Sequence, residues 1–259
     1  MSTGVPVPFT ERLHTEGRGL VQASTAAGLA VRLIGGVGIR LLLDDRYPAA
    51  FERSYGDLDI FTRKRDARGL EQLLAARGWE PAVAFNALNG GRRMLFNDPV
   101  GPAQVDVFVE SFEMCHRLPL AESLSGSLPP FSLPASDLLL SKLQLVALNA
   151  KDRNDSYALL LGCATELAAT SALDTRRIAA LAAEDWGLHH TLELNLARLL
   201  DHLTQAGLAD ADRATIARRV AAIQLAIEEA PKSRGWKLRA RIGERRRWYE
   251  EPEEVNREA

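Results

Sequence analysis

The chain is short of cysteine, of net charge and of long apolar runs. Its 259 residues include two cysteines, Cys115 and Cys163. Two are too few for a disulfide framework or a cysteine-rich metal site, and a reducing, cytoplasmic setting is the simplest interpretation. The formal net charge is −2, which excludes binding of polyanions through bulk charge alone.

No window approaches the roughly 18 uninterrupted apolar residues of a membrane span. The most apolar stretch, LLLSKLQLVAL, is interrupted by Ser141, Lys142 and Gln144. The beginning, MSTGVPVPFTERL, lacks a basic segment followed by an apolar run, so we expect no signal peptide and no membrane partner. The composition of the whole chain, 46% hydrophobic and 25% charged, is that of an ordinary globular protein. Its length is enough for one large domain or two modest ones.

The first half of the chain mixes helix and strand patterns. Short apolar runs, some alternating at period two, predict strands at 30–34, 57–62, 81–85, 92–97 and 104–110. Helical spacing of apolar residues predicts helices at 11–24, 37–44 and 67–78. The NGG tripeptide at 89–91 predicts a hairpin turn between the third and fourth strands.

The second half has a different character. The stretch SLSGSLPPFSLP at 123–134 is rich in Ser, Pro and Gly and predicts a linker. Beyond it nearly every segment has a helical pattern, at 135–150, 154–168, 174–184, 186–205, 211–229 and 232–249. We therefore predict an α+β domain over 1–122 and a helical domain over 135–259.

The stretch YGDLDIF, residues 55–61, places two acids inside a strand that otherwise looks buried. Side chains two apart on a strand point to the same face, so Asp57 and Asp59 would lie side by side. Two parallel carboxylates repel each other and resist desolvation. A divalent cation relieves both costs, because Mg²⁺ prefers oxygen ligands. The alternative is a surface or capping role, since Asp-x-Asp is common by chance.

Two further features favour a catalytic, metal-binding role for these acids. Asp106 lies within another alternating apolar run, QVDVFVE. If the two strands are neighbours, three carboxylates converge and could hold two metals about 4 Å apart for phosphoryl or nucleotidyl transfer. Gly35 and Gly36 follow a strand and open a helix, where free N–H groups can face phosphate oxygens. The alternative for the glycines is a tight strand-to-helix turn.

This order of strand, Gly-Gly, helix, Asp-x-Asp strand and later third Asp resembles the nucleotidyltransferase superfamily, which includes DNA polymerase β and kanamycin nucleotidyltransferase. Within it, the chain looks most similar to the AbiEii-like bacterial branch, known from toxin–antitoxin systems. The resemblance covers about residues 20–110. It implies an α+β fold with a mixed sheet flanked by helices, followed by a helical domain. The toxin–antitoxin systems of this branch also imply an antitoxin as a candidate partner.

The resemblance also implies an activity and its residues. Asp57, Asp59 and Asp106 would be catalytic and would hold Mg²⁺ or Mn²⁺. A nucleoside triphosphate such as ATP would lie with its phosphates against Gly35, Gly36 and a later lysine, Lys142. A nucleoside monophosphate would pass to a hydroxyl of RNA, a protein or a small molecule, and pyrophosphate would leave.

Lys142 has an alternative interpretation as an exposed lysine on the polar edge of a helix, with Asp152 capping the next helix. The glycines are followed by Val37 and Gly38, where the family usually has Ser or Thr. The missing hydroxyl favours a second hypothesis, a catalytically silent nucleotidyltransferase-fold protein that binds or regulates. A metal-dependent phosphohydrolase is a weaker third, because the chain has no His-Asp or paired-His metal motif.

The C-terminal region is the other unusual segment. Lysines and arginines run from Lys232 to Arg247, with Trp236, Trp248 and Tyr249 interleaved. Basic residues with aromatics suit a polynucleotide backbone and stacked bases, so this segment predicts an RNA acceptor. The alternative is a solvated terminal helix followed by an acidic tail.

Overall fold

The computed structural model describes residues 9–126, 129–164 and 171–252. Residues 127–128 of the predicted linker, the end of the predicted helix 154–168 and most of the acidic tail lie outside the described residues. The chain forms two units. The first comprises 1–45, 52–111 and 120–133, and the second comprises 46–51, 112–119 and 134–259.

The first unit is built on a mixed five-stranded sheet. Its strands are β1 (Val31–Ile34), β2 (Asp57–Thr62), β3 (Glu80–Pro81), β4 (Arg93–Asn97) and β5 (Gln104–Val109). The spatial order is β1-β2-β5-β4-β3. β2 and β5 are parallel, and every other neighbouring pair is antiparallel. The predicted α+β class with a mixed sheet is confirmed.

Helices flank this sheet at α1 (Phe9–Ala26), α2 (Gly35–Leu43), α3 (Ala67–Ala76) and α4 (Val83–Asn89). Strand alternation sends every second residue into one core, which helices α1, α2 and α3 cover. Its members include Leu13, Leu20, Leu33, Leu58, Ile60, Leu70, Leu74, Met94, Phe96, Val105 and Val107. The acidic residues Asp57, Asp59 and Asp106 are therefore left on the opposite face of the sheet.

The strand predicted at 81–85 and the hairpin at 89–91 are wrong. Only Glu80–Pro81 pairs with β4, and α4 follows at once. The side chain of Asn86 replaces the missing strand, because its amide donates to the Leu95 carbonyl at 3.0 Å and accepts from the Leu95 N–H at 2.7 Å. A run of four apolar residues fits helix or strand equally well, so local pattern could not decide.

The second unit is helical. After the short pair β6 (Phe112–Glu113) and β7 (Arg117–Leu118), its helices are α5 (Ala135–Leu143), α6 (Ala150–Gly162), α7 (Thr175–Glu184), α8 (Trp186–His202), α9 (Asp210–Glu229) and α10 (Arg234–Ile242). This confirms the predicted helical second half. In the part of the chain that the structure describes, no helix combines the length and apolarity needed to cross a membrane.

Two of the predicted helices are shorter than expected. The helix predicted over 135–150 ends at Leu143, where the Asn195 amide donates to the carbonyls of Leu143 and Leu145 at 2.7 and 2.8 Å. A new helix then begins behind Asn149, whose side chain accepts from the Asp152 N–H. The helix predicted over 232–249 ends at Ile242. At Leu143 a side chain distant in sequence binds backbone carbonyls that would otherwise continue the helix. At Ile242 the helix ends because Gly243 follows with a φ of +57°, and Arg239 of the same helix donates to the Gly243 carbonyl at 2.7 Å.

Candidate functional site

Three acids share one face of the central sheet. β2 and β5 are parallel neighbours, with Asp59 paired to Asp106 and Asp57 paired to Gln104. Paired residues on neighbouring strands point to the same side, and Leu58 between the two β2 acids is fully buried in the core on the other side. The sequence predicts that the three acids converge if these strands are adjacent, and the two strands are adjacent. We refer to Asp57, Asp59 and Asp106 as the acidic face; their catalytic roles stay predictions.

Asp106 is bound by an arginine of the neighbouring strand. Arg93 Nε lies 2.9 Å from Oδ1 and 3.1 Å from Oδ2, and Arg93 Nη2 lies 2.5 Å from Oδ2. The two side chains are only 13% and 14% exposed. Both carboxylate oxygens therefore accept charge-assisted hydrogen bonds from one planar guanidinium, a strong and directional arrangement.

Burial raises the pKa of the Asp106 carboxyl, since desolvation disfavours the ionised form. The hydrogen bonds and charge of Arg93 act against that rise in the pKa, and the nearby charge of Asp57 adds to it. Asp57 and Asp106 thus lie close enough across the two strands for their charges to repel. A positive group at this face is therefore favourable, which is the condition a cation site needs.

The glycine pair, Gly35 and Gly36, lies next to the acidic face. Gly35 has a backbone φ of +68°, in the region that glycine tolerates best. A Cβ on Gly35 would overlap the carboxylate of Asp59. The first turn of α2 thus approaches Asp59 more closely than any other residue type would allow, and it brings the N-terminal end of the helix to the acids.

Arg53 adds a cation beside the same turn. A Cβ on Gly36 would overlap its guanidinium, so Arg53 lies against the start of α2. The guanidinium also lies over the ring of Tyr55, 4.3 Å from the centroid. No sequence motif marks Arg53 or Arg93 as part of this site. Arg93 could have been recognised from the alternation of β4, which places it opposite the core residues Met94 and Phe96.

Among the described residues, no group of three or more His, Cys, Asp or Glu side chains is arranged to hold a metal ion by itself. Mg²⁺ does not require one, because it is usually bound by one or two carboxylates together with waters and substrate phosphates. Asp57 and Asp59, adjacent on one strand face and only half-buried, supply that kind of donor pair. The residues present therefore fit a Mg²⁺ or Mn²⁺ ion completed by a triphosphate.

Lys142 lies in the second unit. Its amine is 2.9 Å from Asp152 Oδ1 and 3.1 Å from Asp155 Oδ2, and its side chain is 13% exposed. It is therefore not a lysine on a solvated edge, and the cap of α6 is Asn149 rather than Asp152. Its role toward nucleotide phosphates stays a prediction.

The basic segment, residues 232–249 with its aromatic side chains, differs in detail from the prediction. Its tryptophans are packed against α8: Trp236 meets His189 edge-on at 5.0 Å, and Trp248 meets His190 at 5.0 Å and donates from Nε1 to Thr191 Oγ1. Arg239 lies 4.7 Å from the centroid of the Trp186 ring. These rings anchor the segment to α8, so they are not free platforms for stacked bases.

The remaining cations of the basic segment face solvent. Within the described part, six of them are exposed: Arg234, Lys237, Arg241, Arg245, Arg246 and Arg247. The residues Arg234, Lys237 and Arg241 are spaced by three and four along α10, so they lie on one side of the helix. Leu238 and Ile242 beside them are also exposed, at 62% and 44%. The geometry suits contact with a phosphate backbone more than contact with bases.

No protein-family model matches the chain, and no curated protein sequence matches it. Among solved structures, it is similar to the crystal structure of an antigenic nucleotidyltransferase-like protein from Paracoccidioides brasiliensis. The two are 12% identical, the match covers 87% of this chain and 96% of the other, and the TM-score is 0.42. We rest the function on the residues of the acidic face and not on this similarity.

Proposed function

We propose that the chain is a divalent-metal-dependent nucleotidyltransferase. The observation that supports this most is the acidic face: three carboxylates on one side of two parallel neighbouring strands, with the Gly35 turn against Asp59. Three carboxylates that repel each other destabilise the fold, whereas a metal–nucleotide complex would neutralise their charge. Membership of the AbiEii-like branch, a toxin role and an antitoxin partner are predictions that rest on the motif resemblance alone.

The residues of the first unit have distinct parts in this proposal. Asp57 and Asp59 would hold a Mg²⁺ or Mn²⁺ ion, which would neutralise part of the negative charge of the nucleotide phosphates. The N–H groups at Gly35 and Gly36 face phosphate oxygens, and Arg53 beside them adds positive charge. Asp106 completes the acidic face through its ion pair with Arg93.

The group transfer balances without any further reagent. An acceptor hydroxyl oxygen forms a bond to the α-phosphorus as the bond from that phosphorus to the bridging oxygen breaks. Pyrophosphate leaves with the bonding electron pair, and the hydroxyl proton passes to water. The protein contributes alignment of the two oxygens and stabilisation of the developing negative charge.

Calorimetric titration of each nucleoside triphosphate, with and without Mg²⁺, tests this proposal. We expect binding that requires Mg²⁺ and weakens at least about tenfold, or 1.4 kcal/mol, in Asp57→Asn/Asp59→Asn, because the double variant removes both charged ligands of the ion. Asp44→Asn/Asp45→Asn is the matched control, since these exposed acids lie at the end of α2 opposite to the Gly35 turn. Transfer of an α-labelled nucleotide to RNA would then be sought.

The catalytically silent binding protein is the second candidate. Val37 and Gly38 in place of a hydroxyl residue favour it, and so does the engagement of Asp106 by Arg93. Absence of binding by every nucleoside triphosphate at millimolar concentration would reject the enzyme and support this alternative. Binding that is equal in the wild type and in the double variant would place the nucleotide elsewhere and reject the acidic face.

We further propose that the acceptor is RNA, held by the exposed cations of the basic segment. Arg234→Gln/Lys237→Gln/Arg241→Gln should weaken binding of a labelled transfer RNA and reduce the slope of log affinity against log salt by about 2–3, because three phosphate contacts are lost. Fluorescence anisotropy over about 50–200 mM salt measures both quantities. Lys64→Gln/Arg65→Gln/Arg68→Gln removes the same charge from other exposed positions. Equal weakening by the two triple variants would contradict a localised RNA site.

A further inference from the structure

A small cavity in the second unit is lined by basic side chains. It has a volume of about 270 Å³. The residues that line it are Val146, Ala147, Leu148, Arg153, Arg198 and His202. Among the described residues, this lining contains no Asp or Glu. Pockets for small molecules typically measure about 300–1,000 Å³, so the cavity is sized for one small group rather than for a whole nucleotide.

Three pieces of the helical unit meet at this cavity. The loop 146–148 between α5 and α6 forms one side, the first turn of α6 brings Arg153, and the end of α8 brings Arg198 and His202. The cationic side chains therefore come from two different helices. Their placement at one cavity is a product of the tertiary fold and not of a local run of basic residues.

Arg198 is held in place by neutral acceptors. Its Nη1 donates to the Val146 carbonyl at 2.8 Å and to Asn195 Oδ1 at 2.9 Å. A guanidinium carries five N–H donors, so these two bonds orient the group and leave further donors for a ligand. Neither acceptor is charged, and the positive charge of Arg198 is therefore not neutralised by them.

Arg153 has even fewer contacts. It is half-buried, and within the described ranges its guanidinium forms no ion pair and no hydrogen bond. The adjacent acid, Asp152, directs its carboxylate to Lys142 at 2.9 Å instead. Arg153 also lies in the first turn of α6, where the helix dipole disfavours a cation. The fold therefore gives no electrostatic reason for an arginine at this position.

His202 adds a third polar group to the lining. Its Nδ1 lies 2.9 Å from the Arg198 carbonyl. A carbonyl oxygen can only accept, so Nδ1 carries the hydrogen of this bond and Nε2 is the nitrogen left for a ligand. In the protonated ring Nε2 donates as well, as an anionic ligand requires.

We propose that this cavity binds a phosphate group, with Arg153 and Arg198 donating to its oxygens. Two like charges at one cavity disfavour each other, and an anion between them removes that cost. The planar fork of a guanidinium matches the oxygens of a phosphate and can bind two of them at once. The site belongs to the second unit and does not depend on the proposed nucleotidyltransferase activity. A terminal phosphate of RNA and a free phosphate ion present the same oxygens, and the test separates them.

Calorimetric titration of the full chain with inorganic phosphate, in buffer without Mg²⁺, tests the site. We expect binding to the wild type that weakens at least about tenfold in Arg153→Gln, because a charge-assisted contact is lost. Arg176→Gln is the matched control, since Arg176 is an exposed arginine of the same unit that lies beside Asp174. It should bind phosphate as the wild type does.

Ala147→Glu tests the same cavity without removing an arginine. Ala147 is exposed on the loop, so the variant should fold, and its carboxylate would face the two guanidinium groups in place of the phosphate. Phosphate binding should again weaken at least about tenfold. If Arg153→Gln does not fold, this variant decides alone. Equal affinity in the wild type and in Ala147→Glu would overturn the proposal, as would no binding to the wild type at tens of millimolar phosphate.

Two short oligoribonucleotides of one sequence identify the source of the phosphate. One carries a terminal 5′-phosphate and the other a 5′-hydroxyl. A tenfold preference of the wild type for the phosphorylated strand that disappears in Arg153→Gln would support the proposal and assign the site to an RNA end. Equal binding of the two strands, together with the expected response to inorganic phosphate, would support it and assign the site to a free phosphate ion.

Discussion

Gly35→Ala should lower the free energy of unfolding of the first unit by about 3 kcal/mol. The positive φ of +68° costs a residue with a Cβ about 1–2 kcal/mol. The new methyl group would also overlap the Asp59 carboxylate, and overpacking of this kind adds about 1–3 kcal/mol. Hydrogen exchange of the β1 and β2 amides across a urea series measures the loss within the unit concerned.

Gly28→Ala separates the two contributions. Gly28 has a similar φ of +73°, and a Cβ there would meet no atom within 4 Å. It should show the backbone cost alone, about 1 kcal/mol. Gly35→Ala should lower the free energy of unfolding by more than Gly28→Ala does. This difference should become smaller when Asp59→Ala is added to Gly35→Ala, because the overlapping carboxylate is then absent. Equal losses in the two alanine variants would show that Gly35 is required only for its backbone conformation and not for the approach to Asp59.

The parts of the site that local pattern could predict are those confined to one strand. Alternation placed Asp57 and Asp59 on one side of β2 and Leu58 on the other, as the burial of Leu58 shows. It also identified the strand that carries Asp106. The parallel pairing of β2 with β5 could only be stated as a condition, because register between distant segments is set by the packing of the whole sheet.

The pairing of Arg93 with Asp106 could not be predicted from the pattern within one strand. It depends on the register of β4 against β5, which places Leu95 rather than Arg93 opposite Asp106. Alternation along β4 places Arg93 on the side opposite Met94 and Phe96, but it does not identify the acid that Arg93 binds. The resemblance to a known superfamily did not supply it either, because that pattern describes the acids and not their counter-ions.

The misassigned segments share a physical cause. At 81–85 the Asn86 side chain substitutes for a strand's hydrogen bonds to Leu95, and at 143–145 Asn195 binds carbonyls that would otherwise continue a helix. The tryptophans of the basic segment were interpreted as base-stacking groups, whereas their partners are the histidines of α8. In each case a tertiary contact outweighs the local preference.

Lys142→Met should destabilise the second unit by about 3–4 kcal/mol. Its amine lies between Asp152 and Asp155, whose side chains are 10% and 1% exposed, so its removal leaves two carboxylates buried without their cation. Breaking a buried ion pair by deleting one partner costs about 3–5 kcal/mol, far more than the pair itself contributes. Methionine keeps most of the aliphatic volume, so the loss measures charge rather than packing.

Lys151→Met is the matched control for Lys142→Met, because Lys151 is an exposed lysine in the same unit. It should change the free energy of unfolding in urea by less than about 0.5 kcal/mol. Adding Asp155→Asn to Lys142→Met should recover part of the loss, since one of the stranded charges is removed. The phosphate-binding role implied by the motif resemblance leads to the opposite pattern. A Lys142→Met protein as stable as Lys151→Met, with weakened binding of nucleoside triphosphate, would show that the two aspartates hold Lys142 for a ligand rather than for the fold.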